Sequence, residues 1–491
     1  MPSPHLISPD TALALVWGSG AMTRLELDNA AKAFAEELQA QGVQRLATLM
    51  DNGAAWVVAD RAAVMAGVVH VPLPLFFTLE QVQHAVTSAG VDAVLVPAAV
   101  AARWPEAAQT GCSVAGIALV LVHMSVTTRP VLPAATAKIT FTSGTTGNPK
   151  GVCFSHCALE GVAASLVTAL QPLQIRRHLC ALPFAVLLEN IAGLLAPVAA
   201  GATCIVLPLA ELGLRGSSQF DADQFHRTVC LHQPESLILV PQMLRAWVGY
   251  LQHTGQRAPD TLRFVAVGGA AVGIALLETA DSVGIPAFEG YGLSEAGSVQ
   301  TLNLPGAARF GSAGKPLPHA HVRVSNAGEI EVAGCLMAGY LGDSPLETTW
   351  WPTGDRGSID ADGFVHIDGR LKHVIITAFG RNVSAEWVET YLRNAPGIAE
   401  AVVFGESQAT LSAVIWPLVD DASNEALGQS IQVANAQLPD YARIGAWVRA
   451  TAAFSTSDGM TTPNGKPRRS AIFDRHATDL AAAASNEQLN G

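Results

Sequence analysis

Short runs of aliphatic and β-branched residues alternate with Ala/Leu-rich stretches through most of the chain. Residues 45–50, 68–71, 138–142, 204–207, 236–240 and 264–267 read as strands, and 54–66 as a helix. A helical stretch follows most of the strands. Apolar strands alternating with helices predict α/β architecture, with helix-covered parallel sheets. The texture changes near Gly306. Strands at 322–324, 329–332, 363–367 and 374–377 are short and separated by Gly, Asp and Asn, which predicts a β-rich subdomain over about 306–370. A helix at 385–394, strands at 401–405 and 412–416 and a helix at 424–437 follow. These make a small α+β C-terminal domain, 371–491, after a large N-terminal domain, 1–370.

Composition narrows the class. Of the 491 residues 49% are hydrophobic and 14% charged, enough apolar surface for large cores and too little charge for a disordered chain. The formal charge is −12, from 29 basic and 41 acidic residues, which argues against nucleic acid or an anionic membrane as partner. Seven cysteines are too few and too scattered for a disulfide framework, which suggests a reducing compartment. Cys153, His156 and Cys157 stand close together, but no second Cys/His pair completes a tetrahedral zinc site. Residues 1–20 lack the basic leader and apolar core of a signal peptide. Residues 191–210 carry no charge but contain Gly193, Pro197, Gly201 and Pro208. They read as a helix to about Ala200, a turn at Gly201 and a strand over 202–207, not a transmembrane segment. The expectation is a soluble, cytoplasmic protein.

The strongest chemical signal is Thr140-Phe141-Thr142-Ser143-Gly144-Thr145-Thr146-Gly147-Asn148-Pro149-Lys150-Gly151, directly after a predicted strand. Hydroxyl residues and glycines leave backbone N–H groups open to an anion, and Lys150 adds a cation. The glycine and lysine spacing differs from the Walker loop, and no Ser/Thr follows Lys150.

This stretch resembles the signature loop of the adenylate-forming superfamily, which includes acyl-CoA synthetases, adenylation domains of peptide synthetases and firefly-type luciferases. The resemblance recurs in order along the chain. Gly268-Gly269-Ala270 resembles the segment that lines adenine. Tyr291-Gly292-Leu293-Ser294-Glu295 is similar to the family's Tyr-Gly-x-Thr/Ser-Glu. Gly328-Glu329-Ile330 with Gly339-Tyr340 matches a structural motif. Thr353-Gly354-Asp355 and Gly369-Arg370-Leu371-Lys372 match the ribose motif and the hinge, and Pro463-Asn464-Gly465-Lys466 the C-terminal lysine motif. The first ~130 residues match more loosely. Bacterial fatty acyl-CoA synthetases are the members it resembles most.

The resemblance implies ATP as substrate, Mg²⁺ as its counter-ion and a two-step reaction. A carboxylate attacks the α-phosphorus, and a pantetheine thiol, of CoA or of an acyl carrier protein, then displaces AMP. Catalytic roles fall to Lys466, Glu295 and Thr142. Nucleotide binding falls to Thr142, Ser143, Gly144, Thr145, Thr146, Gly147, Lys150, Gly268, Gly269, Ala270, Tyr291, Gly292, Ser294, Asp355 and Arg370. Glu295 is the metal ligand. Lys372 is the hinge about which the C-terminal domain turns, so that the strand and loop at 376–383, with Gly380, replace Lys466 at the site and line the thiol tunnel. The acid pocket falls on Phe184, Ala185, Val186 and Leu187. Amino-acid-activating members carry an aspartate where this chain has Ala185, and many acyl-CoA synthetases a histidine or aromatic residue near Val186. An apolar wall offers no partner to a buried ammonium, so an apolar acid is expected, fatty acids first and aryl acids second. His373 and Pro467 also depart from the family pattern and remove no named catalytic group. A carrier-loading ligase shares all these motifs and stays open. A non-catalytic nucleotide-binding module is the alternative of another class. A nicotinamide dehydrogenase ranks last, because no Gly-x-Gly-x-x-Gly opens a helix with an acidic partner downstream.

Overall fold

The structure is a computed structural model and describes residues 11–488 apart from 19, 127, 143–148, 216–218, 377–381, 407, 409 and 463–464. Two large mixed sheets form the body. One is ordered Lys315–Pro316, Ser298–Leu302, Ala287–Leu293, Phe264–Val267, Ser236–Leu239, Arg177–Leu179, Thr203–Ile205, Leu13–Trp17 and Gly20–Thr23. The other is ordered Gly339–Tyr340, Lys150–Ser155, Thr136–Thr142, Val69–Pro72, Arg45–Thr48, Ala93–Val96, Ile117–His123 and Gln109–Val114. In both, the central pairings are parallel and the outer ones antiparallel. Ala93–Val96 and Ser236–Leu239 are buried along their whole length, as a strand covered on both faces must be.

The helix Ala54–Ala66 spans the predicted residues and ends where Gly67 turns left-handed at φ 66°. It buries Trp56 and Val58, and it carries Asp60 into a polar network beneath the core. Lys138 Nζ lies 2.7 Å from Asp60 Oδ1, and His70 Nδ1 lies 2.5 Å from the same oxygen. Asn190 reaches both Lys138 and Asp60, and Thr48 Oγ1 meets His70 Nε2 at 2.9 Å. Burial pulls the His70 pKa down despite Asp60 beside it, so His70 serves as a neutral hydrogen-bonding group and the ion pair is Asp60–Lys138. Lys138, with His70, also holds the Asp60 carboxyl well below the usual range against its burial. The network ties a helix, three strands and the segment at 190 into one body.

The four-stranded antiparallel sheet Ala320–Val324, Glu329–Gly334, Trp351–Ile359, Val365–Arg370 is the predicted β-rich region. A short turn, Leu371–His373, follows it and carries exposed Lys372. The hairpin Val374–Ile376 with Asn382–Ser384 comes next. The last unit packs the helices Ala385–Asn394, Asn424–Asn435 and Arg469–Gln488 around the strands Ile398–Phe404, Leu411–Pro417 and Ile444–Arg449.

Residues 191–210 end differently in detail. A π-helical turn, Glu189–Leu195, runs into the helix Ala196–Ala199, Gly201 turns at φ 90°, and the strand is Thr203–Ile205. Among the described residues no helix is long and apolar enough to cross a membrane. The seven cysteines are free; Cys153 is buried and Cys157 exposed, and His156 pairs with Glu160. The three do not converge on a metal site.

Breaking a buried ion pair strands its partner charge, at a cost of about 3–5 kcal/mol. Asp60→Asn is therefore expected to lower the urea midpoint of the N-terminal domain clearly, followed by tryptophan fluorescence. An unchanged midpoint would show that the network contributes little.

Candidate active site

The phosphate-loop candidate hangs from a β-hairpin. Strands Thr136–Thr142 and Lys150–Ser155 pair with Thr142 opposite Lys150 and Phe141 opposite Gly151. Thr142 Oγ1 donates to the Lys150 carbonyl at 3.4 Å. Ser143, Gly144, Thr145, Thr146 and Gly147 lie outside the described residues. The strand Gly339–Tyr340 pairs with the far side of this hairpin, Tyr340 opposite Val152. That pairing puts the Tyr340 ring under Lys150, whose Nζ lies 5.4 Å from the ring centroid. The Tyr340 hydroxyl donates to Glu295 Oε1 at 2.8 Å. One tyrosine thus bridges the loop lysine and the candidate metal carboxylate. Sequence reading places Tyr340 in a structural motif only, because the contact depends on strand pairing across distant segments. Burial, then the Glu295 charge, raises its pKa, so it stays a donor.

Glu295 sits in the middle of a single turn, Ser294–Ala296, after the strand Ala287–Leu293. The strand returns antiparallel as Ser298–Leu302, with an irregularity between Tyr291 and Gly292. A Cβ on Gly292 would sit 1.6 Å from the Ser298 carbonyl, so this tight return requires glycine there. Tyr291 and Ser294 are half-buried and Gly292 exposed. Gly268 donates to the Leu239 carbonyl at 3.2 Å, at the end of a parallel strand. Gly269, at φ 89°, and Ala270 are exposed beyond it. Glu289 closes this side, accepting from the Val272 N–H at 3.1 Å. Burial raises its pKa to about 7.

Asp355 is the best-anchored group of the site. Its Oδ2 accepts from the Tyr291 hydroxyl at 2.6 Å, and its Oδ1 faces Arg370 Nε at 2.9 Å. Arg370 also donates to the Thr353 carbonyl at 2.9 Å, and Thr353 Oγ1 to the Ile330 carbonyl at 2.7 Å. Glu329 accepts from the Gly354 N–H at 2.8 Å, which gives the Gly328-Glu329-Ile330 motif its physical role. Burial raises the Asp355 pKa; Arg370, Tyr291 and Lys466 oppose it. Burial and Asp355 together keep Tyr291 protonated.

Lys466 comes from the C-terminal unit. A bridge between Thr461 and Pro467 closes its loop, and its N–H donates to Thr462 Oγ1 at 3.1 Å. Pro463 and Asn464 lie outside the described residues. Lys466 is an exposed residue. Partial desolvation, then the Arg370 charge, lowers its pKa; Asp355, Glu295 and Glu386 pull it up. The lysine thus shares one field with the nucleotide-motif residues. His373 pairs with Glu386 beside the turn that carries Lys372. Within 376–383, residues 377–381, Gly380 among them, lie outside the described residues.

Phe184 is buried against Trp56, with centroids 5.1 Å apart, and its N–H donates to Asn52 Oδ1 at 2.8 Å. Ala185 and Leu187 are buried, and Val186 is partly exposed. No charged side chain belongs to this run.

A family model described as AMP-binding enzyme matches residues 8–341, and one described as AMP-binding enzyme C-terminal domain matches 372–488. The chain belongs to the AMP-binding enzyme family. This AMP-binding enzyme is 28% identical over 418 residues to a 2-succinylbenzoate–CoA ligase of Bacillus subtilis, covering 80% of this chain and 82% of that one. It is 30% identical over 256 residues to the long-chain-fatty-acid–CoA ligase FadD15 of Mycobacterium tuberculosis; there it spans 46% of its own length and 42% of the relative's. A feruloyl-CoA synthase of an Amycolatopsis species is 29% identical over 434 residues, 82% and 83% of the two chains. The fold matches o-succinylbenzoate CoA synthetase of Bacillus subtilis in complex with its acyl-adenylate, with TM-score 0.76, 24% identity and 94% and 95% coverage. It also matches an anthranilate CoA ligase in complex with anthranoyl-AMP, with TM-score 0.80, 20% identity and 97% and 96% coverage.

The Glu295 carboxylate, with the Tyr340 hydroxyl on one oxygen, is chemically suited to a hard cation. The Tyr340 hydrogen bond is testable. Tyr340→Phe removes one charge-assisted bond, worth about 1.5–3 kcal/mol. It should raise the Mg²⁺ concentration needed for half-maximal pyrophosphate exchange about tenfold or more. No change in that Mg²⁺ dependence would detach Tyr340 from the site.

Glu289 generates a pH prediction. A carboxyl raised from its ordinary value to about 7 adds stability below the unfolded value and loses it as pH rises through 7. Glu289→Gln is expected to flatten the fall in melting temperature between pH 5 and 7.5, an interval of roughly that width. Parallel curves for the two proteins would contradict it.

Proposed function

We propose that this AMP-binding enzyme activates an apolar carboxylic acid with ATP to an acyl-adenylate, then passes the acyl group to the thiol of CoA. The reading is supported chiefly by one arrangement, Asp355 held with one oxygen 2.6 Å from the Tyr291 hydroxyl and the other 2.9 Å from Arg370 Nε, with Lys466 adding positive charge to it. Two anions must meet, a carboxylate and the α-phosphate, so positive charge has to stand ready. Lys466 and Lys150 supply it from the two sides. Asp355 and Arg370 are suited to hold the ribose hydroxyls, and Gly268, Gly269 and Ala270 leave a flat approach for adenine beside Tyr291. Mg²⁺ at Glu295, when bound, would neutralise phosphate charge. No general base is needed, because a carboxylate is already ionised at neutral pH. Transfer to the thiol asks for a second arrangement, with Lys466 withdrawn and the turn at Lys372 as the pivot. The names of the relatives support CoA as acceptor; a carrier-protein arm presents the same thiol.

For the acid, the Phe184–Leu187 run supports an alkyl tail. Each buried CH₂ is worth about 0.8 kcal/mol, so the specificity constant should rise several-fold per methylene until the pocket ends. A second reading, an aryl or ring-bearing acid, is favoured by relatives such as the succinylbenzoate and feruloyl enzymes, which align over four-fifths of both chains.

Two outcomes test these proposals. Lys466→Ala should slow acid-dependent pyrophosphate exchange by about 10²–10³, or ~3–4 kcal/mol, while thioester formation from supplied acyl-adenylate largely survives. Equal damage to both halves would make Lys466 structural. Across acids, octanoate should outperform acetate and all free α-amino acids, since Ala185 offers an ammonium no counter-ion. Benzoates ahead of octanoate would select the aryl reading, and a preference for acetate or an amino acid would overturn the pocket assignment.

A further inference from the structure

The strands Arg177–Leu179 and Thr203–Ile205 run parallel, with His178 opposite Cys204. Alternate residues face opposite cores: Leu179 and Ile205 join one cluster, Cys180 and Cys204 the other. His178 and Cys180 therefore point to the same side as Cys204. The π-helical turn Glu189–Leu195 lies over this side. The His178, Cys180 and Glu189 ligand atoms all lie within 4.8 Å of one another, and all three residues are buried. Their bonding is incomplete. His178 Nε2 is buried without a hydrogen-bond partner, and the buried Glu189 carboxylate has no well-aligned donor, only the nearby backbone N–H groups of Ala181 and Leu182. His178 Nδ1 is occupied, 2.8 Å from Ser236 Oγ. Cys204 stands next to the group: its Sγ and that of Cys180 approach the same Gly193 carbonyl, at 4.0 and 3.2 Å.

We propose that His178 Nε2, Cys180 Sγ and Glu189, with Cys204 as the fourth ligand, form a structural site for a borderline-soft divalent cation, zinc foremost. Mixed thiolate, imidazole and carboxylate donors suit zinc, and a ring whose second nitrogen meets a hydroxyl has its orientation fixed from outside the site. Zinc would draw the ligands in by about 1 Å. Binding breaks the S–H bonds of Cys180 and Cys204 and the O–H bond of the Glu189 carboxyl, and releases three protons to solvent. Two ligands of the site, Cys180 and Glu189, bracket Phe184, Ala185, Val186 and Leu187 in the chain. A bound ion would clamp both ends of the proposed acid-facing segment, a consequence that rests on the pocket reading above.

The experiment uses full-length protein grown with added zinc and purified without chelator, with metal counted by mass spectrometry. About one zinc per chain is expected, falling below a tenth in Cys180→Ser and Glu189→Gln and unchanged in Cys157→Ser, at an exposed cysteine. Protein stripped of metal and titrated with Co²⁺ should take up one equivalent with a thiolate-to-cobalt charge-transfer band. Should the variants fail to fold, that band in the wild type decides. Wild type that stays metal-free and shows no band overturns the site, as does zinc retained in both folded variants. The readouts count metal, so they stand whichever acid the enzyme activates.

Discussion

The carboxylate of Asp355 is where three parts of the chain meet. It is buried, which alone would disfavour its charge. Tyr291 and Arg370 hold it in place, one on each oxygen, and Lys466 adds a positive field from the C-terminal unit. A buried charge left unpaired is strongly destabilising, so each partner constrains the others. Tyr291 ties in the strand Ala287–Leu293, Arg370 the end of the β-rich sheet, and Lys466 a positive charge from the C-terminal unit.

The rest of the scaffold keeps these groups at strand ends. The parallel strand Phe264–Val267 ends at Gly268, and the strand Ala287–Leu293 turns back at a glycine, Gly292. Tyr340 connects the hairpin that carries Lys150 to Glu295, so a candidate cation and the candidate metal ligand meet on one ring. The Asp60–Lys138 pair anchors the strand that leads into the same hairpin.

Local pattern was enough wherever the determinant was local. The helix Ala54–Ala66, the strand Phe264–Val267 and the helix Ala385–Asn394 have the bounds their periodicity and glycine punctuation predict. The motif order reads directly from the chain because nucleotide chemistry needs fixed residue types at fixed turns. What is hidden depends on pairing at a distance. Tyr340 acquires its role from a two-residue strand beside Lys150–Ser155. Thr353 and Glu329 support Asp355 across the sheet. His178, Cys180, Glu189 and Cys204 lack the compact spacing of a metal motif and converge only through parallel register and a π-helical turn. The turn itself replaced a predicted ordinary helix, and Gly193 accommodates it: a Cβ there would meet the Glu189 carboxylate at 2.5 Å.

The central claim is that the site brings a carboxylate to the α-phosphorus of ATP. Oxygen-18 in the acid's carboxylate tests it directly, with the nucleotide products resolved by mass spectrometry after turnover with CoA. In-line attack at the α-phosphorus leaves one labelled oxygen on AMP, with unlabelled pyrophosphate. Label in inorganic phosphate with ADP as the product, or AMP free of label, would contradict the account.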